Sequence, residues 1–243
     1  MRFETMAIHC QEPDPLTGAV TVPVYQTSTY KHEAIGKHKG YEYSRSDNPT
    51  RKVLENTIAS LEGSAFGLAF ASGVAATAAV FSLFQLGDHI VVGDDIYGGT
   101  YRLLEKVFKR WGLKVTYANV DDVKSFQKAV QKQTKLVWVE TPTNPLLKII
   151  DLKKLAEMIK SKNKDVLIAV DNTFSSPYFQ RPPCAWCRYC CPQHDQIPVR
   201  TQRYYRWCRS NLSQAPIWRL EILSECCRRR SRPLGLLAYS ARH

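Results

Sequence analysis

The sequence predicts an α/β fold, with a mainly parallel sheet and helices on both faces. Two observations carry that expectation. From residue 50 to residue 171, short apolar runs alternate repeatedly with amphipathic segments, the pattern of strands joined by crossover helices. Polar clusters then fall just after the apolar runs, at Ser72-Gly73, Asp94 to Gly99, Glu140 to Asn144 and Asp171 to Thr173. Open parallel sheets bind ligands beyond the carboxyl ends of their strands. A third observation bounds the prediction. All 17 lysines lie before Gln180, whereas 12 of the 17 arginines and seven of the eight cysteines lie after it.

Residues 1–50 are polar and turn-rich, without a strong period, and are expected to form an extended arm. Val53, Leu54, Ile58 and Leu61 share one helical face, after Pro49 and before Gly63. Phe66 to Ala71 is a short apolar run and predicts a strand. The Ala-rich stretch from Gly73 to Leu86 predicts a buried helix stopped by Gly87. His89 to Val92 predicts a strand. Leu103, Leu104, Val107, Phe108 and Trp111 mark the next helix, which Gly112 ends. Val115 to Ala118 reads as a strand and Val123 to Val130 as a helix. Leu136 to Val139 is a strand that runs into Glu140. Leu152, Leu155, Met158 and Ile159 form an amphipathic stripe, and Val166 to Val170 is a strand ending at Asp171.

Charge divides as composition does. Up to Gln180 there are 22 basic and 19 acidic residues; beyond it, 12 arginines face Asp195, Glu221 and Glu225. The first part is near neutral and points to no nucleic acid. No apolar run of about 18 residues is present, so no membrane span is expected. The first residues lack the apolar core of a signal peptide. Cys10 alone in the first 180 residues suits a reducing, cytoplasmic setting.

Each strand-end motif has a plain reading beside a chemical one. Ser72-Gly73-Val74 opens a helix straight after a strand, where amide N–H groups and the helix dipole favour a phosphate; Ser72 also serves simply as a cap. Tyr97, in a Gly-rich turn, offers a surface for a flat ring, or is a half-buried loop aromatic. Asp171 is placed to pair with a protonated ring nitrogen, or to cap a turn. Tyr43-Ser44-Arg45 presents a hydroxyl and a guanidinium suited to phosphate, or is a solvated basic loop.

Taken together, the motifs are specific. Val22-Pro23-Val24-Tyr25-Gln26-Thr27-Ser28-Thr29-Tyr30, Gly40 to Arg45 with Asn48-Pro49-Thr50-Arg51, Ser72 to Ala76, Asp94 to Thr100, Glu140 to Pro145 and Val170 to Phe174 occur in order. The chain resembles the Cys/Met-metabolism family of pyridoxal-phosphate enzymes, the transsulfuration group, over residues 1 to about 182. The resemblance implies the fold of the pyridoxal-phosphate-dependent transferases (aspartate aminotransferase fold type I). It implies cystathionine γ-lyase or γ-synthase chemistry, with β-lyase or sulfhydrylase chemistry as alternatives, and sulfur amino-acid metabolism with cystathionine, a homoserine ester or cysteine as substrate. It implies that Ser72, Gly73 and Val74 hold the cofactor phosphate, Tyr97 stacks on the ring, Asp171 pairs with the ring nitrogen and Asn144 lies near the ring oxygen. Tyr43 and Arg45 are implied to reach a neighbouring subunit's phosphate in a homodimer or homotetramer. Residues 1–50 then form an inter-subunit arm, and residues 51–182 part of the cofactor-binding domain.

The family's cofactor lysine is expected some 25 residues beyond Asp171. That stretch here reads Cys190-Cys191-Pro192-Gln193-His194-Asp195-Gln196-Ile197, and no lysine follows Lys164. Reading each codon one base later explains the change. Trp186-Cys187 then gives Gly, Cys190-Cys191 permits Val-Val, and Gln193 to Ile197 permits Ser-Thr-Thr-Lys-Tyr. Residues 183–243 are therefore expected to be an out-of-frame and largely unstructured tail. The family's substrate-carboxylate arginine and smaller C-terminal domain are expected to be missing, and the chain to be inactive as written. The rival reading is a non-enzymatic domain whose tail binds zinc, through Cys184, Cys187, Cys190, Cys191 and His194, or RNA, through its arginines and aromatics.

Overall fold

The computed structural model describes residues 2–64 and 67–182 in full, together with the backbone of 66, 189–190 and 203–207. The N-terminal arm contains more regular structure than its composition suggests. Helix α1 spans Phe3–Ile8, and strands β1 (His32–Ala34) and β2 (Lys37–His38) pair antiparallel. These are short, local elements with no long apolar period, so periodicity does not reveal them.

Helix α2 spans Pro49–Glu62. Its start follows from three residues. Asn48 Oδ1 accepts the N–H groups of Thr50, at 2.9 Å, and Arg51, at 3.4 Å. Pro49 supplies a helical φ where no N–H is needed, and Gly63, at φ 64°, ends the helix in the left-handed region. The same Asn48 amide anchors the arm, for its Nδ2 reaches Tyr25 O at 3.2 Å and Ser44 Oγ at 3.0 Å. Arg51 adds hydrogen bonds to the carbonyls of Ser44 and Ser46.

Strand β3 (Phe66–Phe70) lies against α2. Glu55 reaches from the helix to accept the Ala69 N–H at 2.8 Å. A Cβ at Gly67 would sit 2.8 Å from the Glu55 carbonyl oxygen, so the close approach requires glycine. Helix α3 (Gly73–Phe81) is shorter than expected. It stops five residues before Leu86, and turns at Leu83 and Phe84 fill the gap to Gly87.

The remaining elements are β4 (His89–Gly93), α4 (Gly98–Leu103), β5 (Lys114–Ala118), α5 (Val123–Ala129), β6 (Thr134–Glu140), α6 (Leu152–Lys162) and β7 (Leu167–Asp171). The helix expected around Leu103 starts earlier, at Gly98, and widens into a π-helical turn over Leu104–Phe108. Leu104 and Phe108 both stay buried across that turn. Two further strands, β8 (Tyr189–Cys190) and β9 (Arg203–Trp207), lie in the region expected to be unstructured. The other residues beyond Pro182 lie outside the described ones.

Strands run in the order β5-β4-β6-β7-β8, all parallel. Strand β3 pairs antiparallel with β9 instead. The central strands are apolar on both sides. Ile90, Val92, Leu136, Trp138 and Ala169 face one cluster with Val80, Phe81 and Phe108. Val91, Val137, Val139, Ile168 and Val170 face the other with Phe126, Leu155 and Ile159. Alternate side chains of one strand point to opposite faces, so the two clusters place helices on both sides, as expected. At the start of β4, His89 meets the hydroxyls of Thr134, which opens β6, and of Thr116, in the middle of the edge strand β5, at 2.7 and 2.8 Å. Asn48→Ala removes both the cap and the arm anchor. It is expected to lower stability by about 2 kcal/mol, read as a lower urea midpoint at unchanged slope, with Asn48→Asp losing less because the capping oxygen remains.

Candidate active site

The carboxyl ends of β4, β6 and β7 carry a polar rim. Glu140 closes β6 and Asp171 closes β7, and the two are direct partners in the parallel register. The Thr141 N–H donates to the Asp171 carbonyl at 3.0 Å and extends the pairing one residue past the strand. Glu140 and Asp171 are 2% and 1% exposed, so two carboxyl groups share a space that water barely reaches.

Each carboxyl is held by N–H or O–H groups. Asp171 Oδ1 accepts both the Thr173 N–H, at 3.1 Å, and the Thr173 hydroxyl. Glu140 Oε2 accepts the Tyr97 N–H at 2.8 Å, and its carboxyl also accepts the Asn144 N–H. Burial, then the charge of Asp171, pushes the Glu140 carboxyl up to about 8, against the pull of those two amides. A second strap joins the same loops, for the Thr143 hydroxyl donates to Asp95 Oδ2. Thr143 Oγ1 in turn accepts the Lys148 N–H at 2.8 Å, while the Lys148 ammonium pairs with Asp121.

Tyr97, Asn144 and Asp171 are thus brought together, with Glu140 between them. Tyr97 is the N-cap of α4, and its half-buried ring folds back on Gly99. A Cβ at Gly99 would lie 2.2 Å from the ring. Ser72 caps α3 by accepting the Ala75 N–H at 3.1 Å, with Gly73 buried behind it. The plain capping reading of Ser72 therefore holds, and it leaves the Gly73 and Val74 N–H groups at a helix N-terminus. Helix α3 packs in the same cluster as Ile96, on the α4 side of the sheet. Tyr43 and Arg45 stand apart on the arm. Tyr43 bridges to Thr29, and the exposed Arg45 guanidinium lies 5.0 Å from the centre of the Tyr43 ring.

Glu140 and Asn172 carry the geometry without having been assigned roles from the sequence. The available signal for Glu140 was an acid terminating a fully apolar strand. Asn172 is fully buried, and neither its Oδ1 nor its Nδ2 has a hydrogen-bond partner among the described residues. A buried amide left without partners costs about 1–3 kcal/mol per group, so this one sits at the rim with its polar capacity unused. Among the described residues, no group of three His, Cys, Asp or Glu is placed to hold a metal, and no helix is long and apolar enough to cross a membrane. The cysteines from Cys184 to Cys191 and His194 lie outside the residues whose side chains are described.

An open parallel sheet with a buried acid at one strand end, an aromatic at the next and a capped helix N-terminus defines an α/β cofactor-binding domain. The chain belongs to the family of Cys/Met metabolism PLP-dependent enzymes, which matches residues 4–183. It is 52% identical over 182 residues to a cystathionine beta-lyase of Coxiella burnetii, covering 74% of this chain and 46% of that protein. It is 50% identical over 183 residues to a cystathionine gamma-lyase of Bacillus subtilis, covering 75% and 48%. The chain thus spans about half the length of these curated relatives. Among solved structures it resembles cystathionine gamma-lyase from Lactobacillus plantarum complexed with L-serine, at TM-score 0.84 and 36% identity, over 100% of this chain and 65% of that one. The family is pyridoxal-phosphate-dependent, and its fold is the one expected from the motifs.

The raised Glu140 carboxyl has a pH consequence. Its folded value of about 8 lies above the ordinary 4.5, so the folded state holds this proton more tightly than the unfolded chain. That contribution is complete below about pH 4.5 and is lost as pH rises toward 8. Urea unfolding across this window is expected to show a decline, on the order of a few kcal/mol at most, that Glu140→Gln lacks. Parallel curves for the two proteins would contradict it.

Proposed function

We propose that residues 1–182 form the cofactor-cradling part of a transsulfuration enzyme, of the cystathionine γ-lyase or γ-synthase type, and that the chain as written does not turn over. The observation that carries this reading is the buried Asp171 at the end of β7, tied to the Tyr97 loop through Glu140. The residues fit the ring and the phosphate. Asn172 offers a buried amide without a partner among the described residues, and the Ser72–Val74 turn offers N–H groups at a helix N-terminus.

Pyridoxal phosphate, when bound, supplies an electron sink for a carbanion at the Cα of an amino acid. The chain's own residues would do the following. Gly73 and Val74 amides, with Ser72 beside them, bind the phosphate. The Tyr97 ring packs on the cofactor ring and excludes water from that side. Asp171 holds a proton on the ring nitrogen, which strengthens the sink. Asn144 orients the ring oxygen. Tyr43 and Arg45, left on the arm, serve the phosphate of a second subunit in a homodimer or tetramer. Cys10, the one cysteine before Gln180, fits a cytoplasmic enzyme.

The amine that would anchor the cofactor covalently and move protons is missing, since no lysine follows Lys164. We ascribe this to a one-base gain, or a two-base loss, near Gln180 to Pro183. Two observations support that ascription: the family match ends at residue 183, and lysine gives way to arginine and cysteine at the same point.

Borohydride treatment of the chain with pyridoxal phosphate, followed by peptide mass analysis, is expected to leave no single lysine fully labelled. One stoichiometrically labelled lysine would refute the claim of inactivity. A frame-restored version is expected to convert cystathionine to cysteine and 2-oxobutanoate if it is a γ-lyase. Homocysteine and pyruvate would place it with the β-lyases instead.

A further inference from the structure

We propose that Glu140 is a positioning residue: by accepting the amide hydrogens of Tyr97 and Asn144, its buried side chain sets the pose of the Tyr97 ring and of the Asn144 loop beside Asp171. The proposal rests on the reading of the rim as a cofactor cradle.

Four observations carry it. Tyr97 is the N-cap of α4, and its N–H donates to Glu140 Oε2, 2.8 Å away. Glu140 is itself held in place, because it ends β6 and pairs with Asp171 of β7 in the parallel ladder. The Tyr97 ring lies against Gly99, where a Cβ would fall 2.2 Å from it. The Thr143 hydroxyl on Asp95 ties the same two loops a second time. A carboxyl 2% exposed is a costly group for a strand end. Its acceptor oxygens nevertheless suit two converging N–H groups, and an aliphatic side chain there would leave both amides without partners. The carboxyl's raised protonation range is compatible with this role, since a protonated acid still accepts through its carbonyl oxygen.

The test uses the full chain, Glu140→Ala and Glu140→Gln. The first measurement is amide hydrogen exchange at Tyr97, with Ile90 to Val92 of β4 as internal controls. The second is binding of pyridoxamine 5′-phosphate, which lacks the aldehyde and so reports the cradle alone. Glu140→Ala is expected to speed Tyr97 exchange about tenfold, to leave the β4 amides unchanged and to weaken pyridoxamine phosphate about tenfold. Glu140→Gln, which keeps an acceptor oxygen, is expected to stay within about threefold of the parent in both. In a Tyr97→Ala background, the affinity loss on Glu140→Ala is expected to vanish.

Unchanged Tyr97 exchange in Glu140→Ala overturns the proposal. Equal acceleration of the β4 amides, or an affinity loss undiminished in the Tyr97→Ala background, also overturns it by making the role a general structural one. If the unsubstituted chain itself fails to bind pyridoxamine phosphate, the cofactor reading fails, and with it the purpose assigned to Glu140. That failure is distinguishable because Tyr97 exchange still reports whether Glu140 holds the loop.

Discussion

Parallel pairing of β4, β6 and β7, with apolar side chains on both faces, is the constraint from which the rest of the structure follows. A strand buried on both sides has no face on which to place a polar group. Chemistry is therefore displaced to the strand ends. Because the strands are parallel and in register, those ends coincide: Glu140 stands beside Asp171, and the loop after β4 reaches Glu140. The same sheet that excludes water from Val91, Val137 and Ile168 thereby keeps water from the buried part of that polar rim, where each hydrogen bond counts for more than it does in water.

Two buried acids in that rim are sustained by different means. Thr173 gives Asp171 a local pair of donors two residues along the chain. Glu140 draws its donors from two separate loops and is shifted toward its neutral form by burial and by its neighbour. Glu55, also buried, meets a third solution: it accepts a β3 amide and lies 3.8 Å from Arg51. Each acid replaces a backbone partner that the topology does not provide. Side chains thus take over where strand pairing ends.

Much of this was legible in the sequence. Strands β4 to β7 and helices α5 and α6 follow the apolar periods closely, because burial on two faces or along one stripe writes directly into residue order. The Asn48-Pro49 start and Gly63 stop of α2 are equally visible, since caps are local. Three features were not. The end of α3 at Phe81 is not marked, for apolar residues continue through Leu83, Phe84 and Leu86 while the backbone turns. The π turn after Leu103 leaves no trace in a 3.6-residue pattern. The pairing of β3 with β9 depends on residues more than 130 positions apart, and no local period records it. At the site, Asp171 and Tyr97 were visible as chemistry-bearing types at strand ends. Glu140 was visible as a residue but not as a partner, because its meaning lies in the amide of Tyr97, 43 positions away.

The contact between Tyr97 and Gly99 also fixes what the turn can tolerate. A methyl group at position 99 would fall 2.2 Å from the aromatic ring, so even alanine there would have to push that ring aside, and the smallest residue of the turn sets where the bulkiest one lies.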